Sequence, residues 1–152
     1  MSAVMRGPRP QGSARTVLPR DPFATAAGAI AVAEALTFLI ASLLHQGTHI
    51  PVLNITGEKF PGAVIPEAVI GFVMLAGAVT VLAAPRRAWG IALGTHVFAA
   101  VGTAFGISVV LGGGANHPAS DLIYHFTIEA VLLVMIAVLA RGRSRAALRP
   151  PG

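Results

Sequence analysis

Asp121, His125 and Glu129 stand four apart at the start of the last apolar stretch of the chain, and no further ionisable residue follows until Arg141. On a helix, residues four apart share a face, so the three form a stripe that enters the segment from one end. Glu34 and His45 form a second stripe in the first apolar stretch, eleven residues and close to three helical turns apart,. His96 lies within the third stretch. Imidazoles and carboxylates set among apolar residues support metal ligation, haem ligation by paired histidines, or the movement of protons and ions.

The elements that must position these residues are membrane helices. The chain has 152 residues, 55% hydrophobic and 11% charged, with a mean hydropathy of +0.75, far from the roughly 25% charged content of soluble domains. Cysteine is absent, which removes disulfides, thiolate metal sites and cysteine nucleophiles. The expected fold is all-α: a four-transmembrane-helix, up-down-up-down bundle with disordered N- and C-terminal tails. Residues 1–21 read as a disordered basic tail, 22–141 as the membrane domain and 142–152 as a second basic tail. Asp21-Pro22 has the form of an N-cap followed by proline in the first helical turn,. The spans fall at about 23–44, 67–84, 89–111 and 120–140, each near the roughly 20 residues a bilayer requires. Gly47, Pro51, Gly57, Pro61, Gly62 and Pro66 break up the intervening segment 45–66, which reads as an outward loop on the membrane surface or over the bundle.

Charge orients the bundle. All ten arginines lie in the N-terminal tail, at Arg86-Arg87, or at Arg141 and beyond, while the sole lysine, Lys59, lies in the first loop. The positive-inside rule therefore puts both termini and the 85–87 turn in the cytoplasm of a bacterial inner membrane, with 45–66 and 112–119 outward. The same rule accounts for the pI of about 11.4 without nucleic acid. Gly90, Gly94, Gly102 and Gly106 in the third span form two small-residue pairs on either side of Phe98. They predict close helix contacts towards both ends of a centrally placed helix, or a homodimer face.

Depth, at about 1.5 Å per residue, sorts the polar groups. Glu34 falls near the middle of the first span and Glu129 just outside the middle of the fourth, with His96 slightly to the cytoplasmic side of the third. Each of these carboxylates costs roughly 2.5–3.5 kcal/mol at mid-membrane even on the lenient insertion scale, so a specific partner is expected. Glu34, His96, His125 and Glu129 are accordingly the candidate buried polar site, with Glu129 facing the bundle interior, Glu34 within hydrogen-bond or one-water reach of a polar partner on another helix, and the two carboxylates sharing a proton if their faces meet. Glu67 and Asp121 have a simpler reading as acidic residues at helix starts, and His45, His49 and His117 as residues of an outer vestibule.

A transition metal held by His45, His125 and Glu129 is one expectation, although no His-Glu-x-x-His or paired Glu-x-x-His motif is present,. A bis-histidine haem is disfavoured, because His96 and His125 differ by about 15 Å in depth. Hydrolase, phosphate-binding and nucleic-acid signatures are absent from the sequence.

Four spans with cytoplasmic ends, the outward Pro66-Glu67 helix start, Gly71 and Gly77 within the second span and Arg86-Arg87 at its inner turn resemble the small DoxX-like integral membrane proteins over about residues 22–141. That resemblance is architectural. It implies an association with respiratory quinol oxidation and transfers no functional residue, since the first span lacks an Arg/Gly-rich opening and the first loop is long and histidine-bearing. The functional expectation is a small integral membrane protein serving a membrane redox or metal-handling system. The alternatives are a non-catalytic scaffolding subunit and an oligomeric small-ion or proton-coupled transporter. Its expected partners are the lipid bilayer and a homo-oligomer or larger membrane complex.

Overall fold

In the computed structural model, residues 21–85, 88–112 and 119–148 are described. The N-terminal tail before Asp21, Arg86-Arg87, His117 with its loop, and residues 149–152 lie outside the described residues. Four long helices are present: α1 (Pro22–His45), α2 (Pro61–Ala83), α3 (Trp89–Gly112) and α4 (Ala119–Ala140). All four are long and apolar enough to cross a membrane. A short helix, α5 (Gly142–Leu148), follows α4, and a two-residue antiparallel pairing of β1 (His49–Ile50) with β2 (Ile55–Thr56) lies between α1 and α2.

Local chemistry sets the boundaries. The Asp21 carboxylate accepts from the amides of Phe23, at 2.8 Å, and Ala24, and Pro22 occupies the first helical turn, where its missing N–H costs no helix bond. The other end of α1 closes through Gly47 at φ +80°. The Thr48 amide bonds the Leu43 carbonyl and the Gly47 amide that of Leu44, the paired bonds of a Schellman motif. The chain then turns back over the helix end. Phe60 donates its amide to the His45 carbonyl at 2.8 Å, and a Cβ on Gly57 would run into the Leu44 carbonyl. Segment 45–66 is therefore not a loop throughout.

Helix α2 begins at Pro61, six residues before the expected start at Glu67, and carries Pro66 inside it. Pro61 sits in the first turn, where proline is tolerated, and Pro66 is close enough to the start to forfeit little of the helix ladder. The C-terminal tail also departs from expectation. Residues 142–148 are helical, with Leu148 fully buried beside Ala24, Val81, Ala88, Ala92 and Leu139. Ser144 donates to the Val138 carbonyl at 2.6 Å, Arg145 lies 4.8 Å above the Trp89 ring, and Trp89 Nε1 donates to the Leu139 carbonyl at 2.9 Å. An apolar residue seven positions into a basic tail is enough to dock one helical turn and more.

The buried residues of each long helix recur at steps of three and four, as in Ala24, Gly28, Ala31, Ala35, Phe38 and Ser42 on α1, or His125, Ile128, Leu132, Met135 and Leu139 on α4. That spacing is the seam of a left-handed bundle. Consecutive helices contact the late part of one against the early part of the next: Gly71 of α2 lies under Leu39 of α1, and Gly77 of α2 under Thr95 of α3. The closest backbone approach belongs to α1 and α2, where a Cβ on Gly71 would stand 3.2 Å from the Ala35 carbonyl oxygen. On α3, Gly102 and Gly106 face Ile70 and His125, whereas Gly90 and Gly94 have nothing within 4 Å. Close packing is thus shared by Gly28 of α1, which lies against Leu82, Gly71 and Gly77 of α2, and one of the two α3 pairs. Large apolar side chains such as Phe72, Val101 and Phe105 point outward, more than 60% exposed, as residues facing lipid would.

Candidate functional site

Two polar groupings occupy the bundle. The larger lies at the end that carries the β1–β2 pairing, and is assembled by three helices. His45, the last residue of α1, places Nδ1 2.7 Å from Glu67 Oε2 and Nε2 3.4 Å from Asp121 Oδ1. His125 of α4 places Nε2 3.8 Å from Glu67 Oε1 and Nδ1 3.2 Å from Asp121 Oδ1. Nδ1 of His125 also donates to the Asp121 carbonyl at 2.8 Å. Two imidazoles and two carboxylates therefore alternate around a closed ring of contacts: His45, Glu67, His125, Asp121.

Each member is placed by ordinary helix register. Glu67 opens the buried stripe of α2, seven residues before Met74 and fourteen before Val81, so it points inward at the only depth where His45 can reach it. It is 5% exposed. The reading of Glu67 as an acidic residue at a helix start is corrected: the helix starts earlier, and Glu67 is an interior residue. Asp121 is likewise within the ring. Ser42 Oγ donates to the Val64 carbonyl at 2.8 Å, tying α1 to α2 one turn from the ring, and the edge of Phe60 covers His45 with ring centroids 5.7 Å apart.

Beside the ring is a cleft of about 110 Å³, walled by Phe38, Phe60, Ile70, Phe105 and Val110 among others. Its polar residues are Glu67, His125 and Thr103. Thr103 donates to the Ala99 carbonyl of its own helix. Glu67 Oε1 is buried and accepts no hydrogen bond. Nδ1 of His125 is committed as a donor, so Nε2 of the neutral imidazole is an acceptor. The cleft therefore presents an apolar wall and two neighbouring acceptors, a surface suited to an apolar molecule with a hydrogen-bond donor at its head.

The smaller grouping is a pair in the bundle interior. Glu34 Oε2 of α1 lies 3.0 Å from His96 Nε2 of α3, with the two residues 3% and 2% exposed. The pairing of Glu34 with Glu129 does not occur. His96 is the partner instead, because Glu34 and His96 both lie on the buried stripes of their helices. Glu129 follows Ile128, a stripe residue, and so sits at the stripe's edge, half-buried, with Oε2 shielded and without a hydrogen-bond partner.

His45, His125 and Glu129 are not gathered as a ligand set. The two histidines are engaged by Glu67 and Asp121, and among the described residues no group of three His, Asp or Glu side chains is arranged to hold a metal ion. His49 is paired instead with Thr56 across the β1–β2 pairing, at 2.9 Å. No family model, curated protein or solved structure matches the chain.

Proposed function

We propose that the chain is a multi-pass protein of a bacterial inner membrane, an up-down-up-down bundle with both termini and the 85–87 turn in the cytoplasm. In this reading the ring of His45, Glu67, Asp121 and His125 faces the outer half of the bilayer, where the arginine distribution puts the first loop. The protein acts as an accessory of a membrane redox or metal-handling system by binding a small lipophilic molecule at the cleft. The architectural likeness to DoxX-like proteins belongs with this reading. The observation that carries it is the cleft itself: Glu67 Oε1, a buried oxygen without a hydrogen-bond partner, stands 3.8 Å from His125 Nε2 in an otherwise apolar wall. That separation is too long for a direct hydrogen bond, and a headgroup hydroxyl seated beside them would donate its hydrogen to Glu67 Oε1.

The test uses purified full-length protein in detergent or bilayers, with 4-butylphenol as probe and its O-methyl ether as control. The phenol is expected to raise the thermal unfolding midpoint, by the equivalent of about 2.7 kcal/mol at a hundredfold excess over Kd, and the ether to leave it unchanged. Glu67→Gln, which exchanges a charged acceptor for a weaker neutral one, should reduce the difference. Equal responses to phenol and ether in the wild type would sink the proposal.

A second reading, a scaffolding subunit without ligand, is favoured by the mutual pairing of the ring residues, which leaves His45 and Asp121 engaged by their neighbours. It predicts that His125→Ala and Glu129→Gln proteins that accumulate normally also support the cellular phenotype normally.

A further inference from the structure

The interior pair carries a separate conclusion, independent of the cleft. Glu34 is flanked by Ala31, Ala35 and Phe38, and His96 by Ala99 and Ala100, all buried members of the main core. Nδ1 of His96 lies 2.7 Å from the Ala92 carbonyl oxygen. A carbonyl oxygen only accepts, so Nδ1 carries a hydrogen and Nε2 of the neutral ring is left with its lone pair. That lone pair faces Glu34 Oε2 at 3.0 Å. A carboxylate is also an acceptor only. Two acceptors at this distance repel unless a hydrogen lies between them.

Among the described residues no other side chain supplies that hydrogen. Both Glu34 oxygens and His96 Nε2 are buried and make no hydrogen bond elsewhere. The hydroxyls of Thr37 and Thr103, on the same two helices, are spent on backbone carbonyls. The ionisable groups on the other packed helices are Glu67 on α2, Asp121, Tyr124, His125 and Glu129 on α4, and Arg145 on α5, which lies over Trp89. Among the described residues Glu67, Asp121 and His125 pair with one another or with His45, the buried Tyr124 hydroxyl has no hydrogen-bond partner, and no hydrogen bond or ion pair joins any of these groups to Glu34 or His96.

We propose that Glu34 and His96 form a proton-binding site in the bundle core, holding one proton between Glu34 Oε2 and His96 Nε2. With the proton present the pair is neutral overall, whether written as carboxylic acid and imidazole or as carboxylate and imidazolium. Without it, an uncompensated carboxylate charge remains in an apolar interior and two lone pairs oppose each other. The proton therefore also joins α1 to α3: loaded, the pair bonds the helices, and emptied, it pushes them apart.

The experiment is magic-angle-spinning NMR on the full-length chain in lipid bilayers at pH 7.5, with 15N-labelled histidine and 13C-labelled glutamate. Glu34→Gln and His96→Gln supply the assignments. The expected result is one proton beyond the Nδ1 hydrogen: either a protonated Glu34 carboxyl beside a neutral His96, or a Glu34 carboxylate beside an imidazolium, the Glu34 signal being absent from Glu34→Gln and the His96 signals from His96→Gln. A Glu34 carboxylate found together with a neutral His96 overturns the proposal. If the variants fail to accumulate, a through-space correlation between Glu34 Cδ and His96 Nε2 in the wild type makes the same assignment, so the wild-type spectrum decides.

Discussion

At the scale of single residues, Glu67 has the most demanding position. It takes a contact from His45 on one oxygen and faces His125 and the cleft with the other. Glu67→Ala would leave His45 with one carboxylate neighbour and His125 with none from α2, and breaking a buried pair in this way costs about 3 kcal/mol. Glu67→Gln keeps an oxygen and adds an amide donor, so the loss should be clearly smaller. Thermal or denaturant unfolding of both variants in one detergent checks the order; equal destabilisation would mean that the charge of the carboxylate, and neither its volume nor a remaining oxygen, accounts for the loss. Sequence alone marked Glu34, His96, His125 and Glu129, because an ionisable residue inside an apolar stretch is visible as such. It did not mark Glu67. A visible signal did exist, in that Glu67, Met74 and Val81 repeat at seven, but Pro66 just before it suggested a helix start and hence a carboxylate held by the helix dipole.

At the scale of elements, the decisive contacts are those in which one helix backbone meets another. A Cβ on Gly71 would lie 2.8 Å from two Leu39 carbons and 3.2 Å from the Ala35 carbonyl oxygen, and the backbone oxygen cannot move aside cheaply. Gly71→Val should therefore separate α1 from α2 and cost about 1–3 kcal/mol. Gly90→Ala and Gly94→Ala meet open space and should be neutral or stabilising by up to about 1 kcal/mol. Unfolding midpoints of the three variants test this contrast, and an equal loss in all three would contradict the packing. The α3 glycines were legible as small-residue pairs at spacing four, whereas Gly71 was not. Which of them a neighbour uses depends on how far each helix is rotated about its axis, and of the two α3 pairs only Gly102 and Gly106 face side chains of α2 and α4.

For the whole molecule, orientation in the membrane is the open prediction, and the absence of cysteine from the sequence makes it simple to read. Asn54→Cys, in the exposed turn between β1 and β2, should react with a membrane-impermeant maleimide in intact spheroplasts. Arg141→Cys, between α4 and α5, should react only after permeabilisation. The opposite pattern would invert the bundle and put the His45–Glu67–Asp121–His125 ring on the cytoplasmic side.

What the amino-acid order determined by itself is what depends on neighbours along the chain: four apolar stretches of membrane length, the Asp21-Pro22 helix start, the distribution of arginines, and the ionisable residues inside apolar segments. The tertiary structure decided the partnerships. Glu34 meets His96 and not Glu129, His45 and His125 share Glu67 and Asp121, and Leu148 docks the end of the chain. Helical periodicity places a side chain on a face and at a depth. It does not say which other face lies opposite, since that follows from the relative rotation of helices whose sequences lie tens of residues apart, settled only when their small residues and bulky ones interlock.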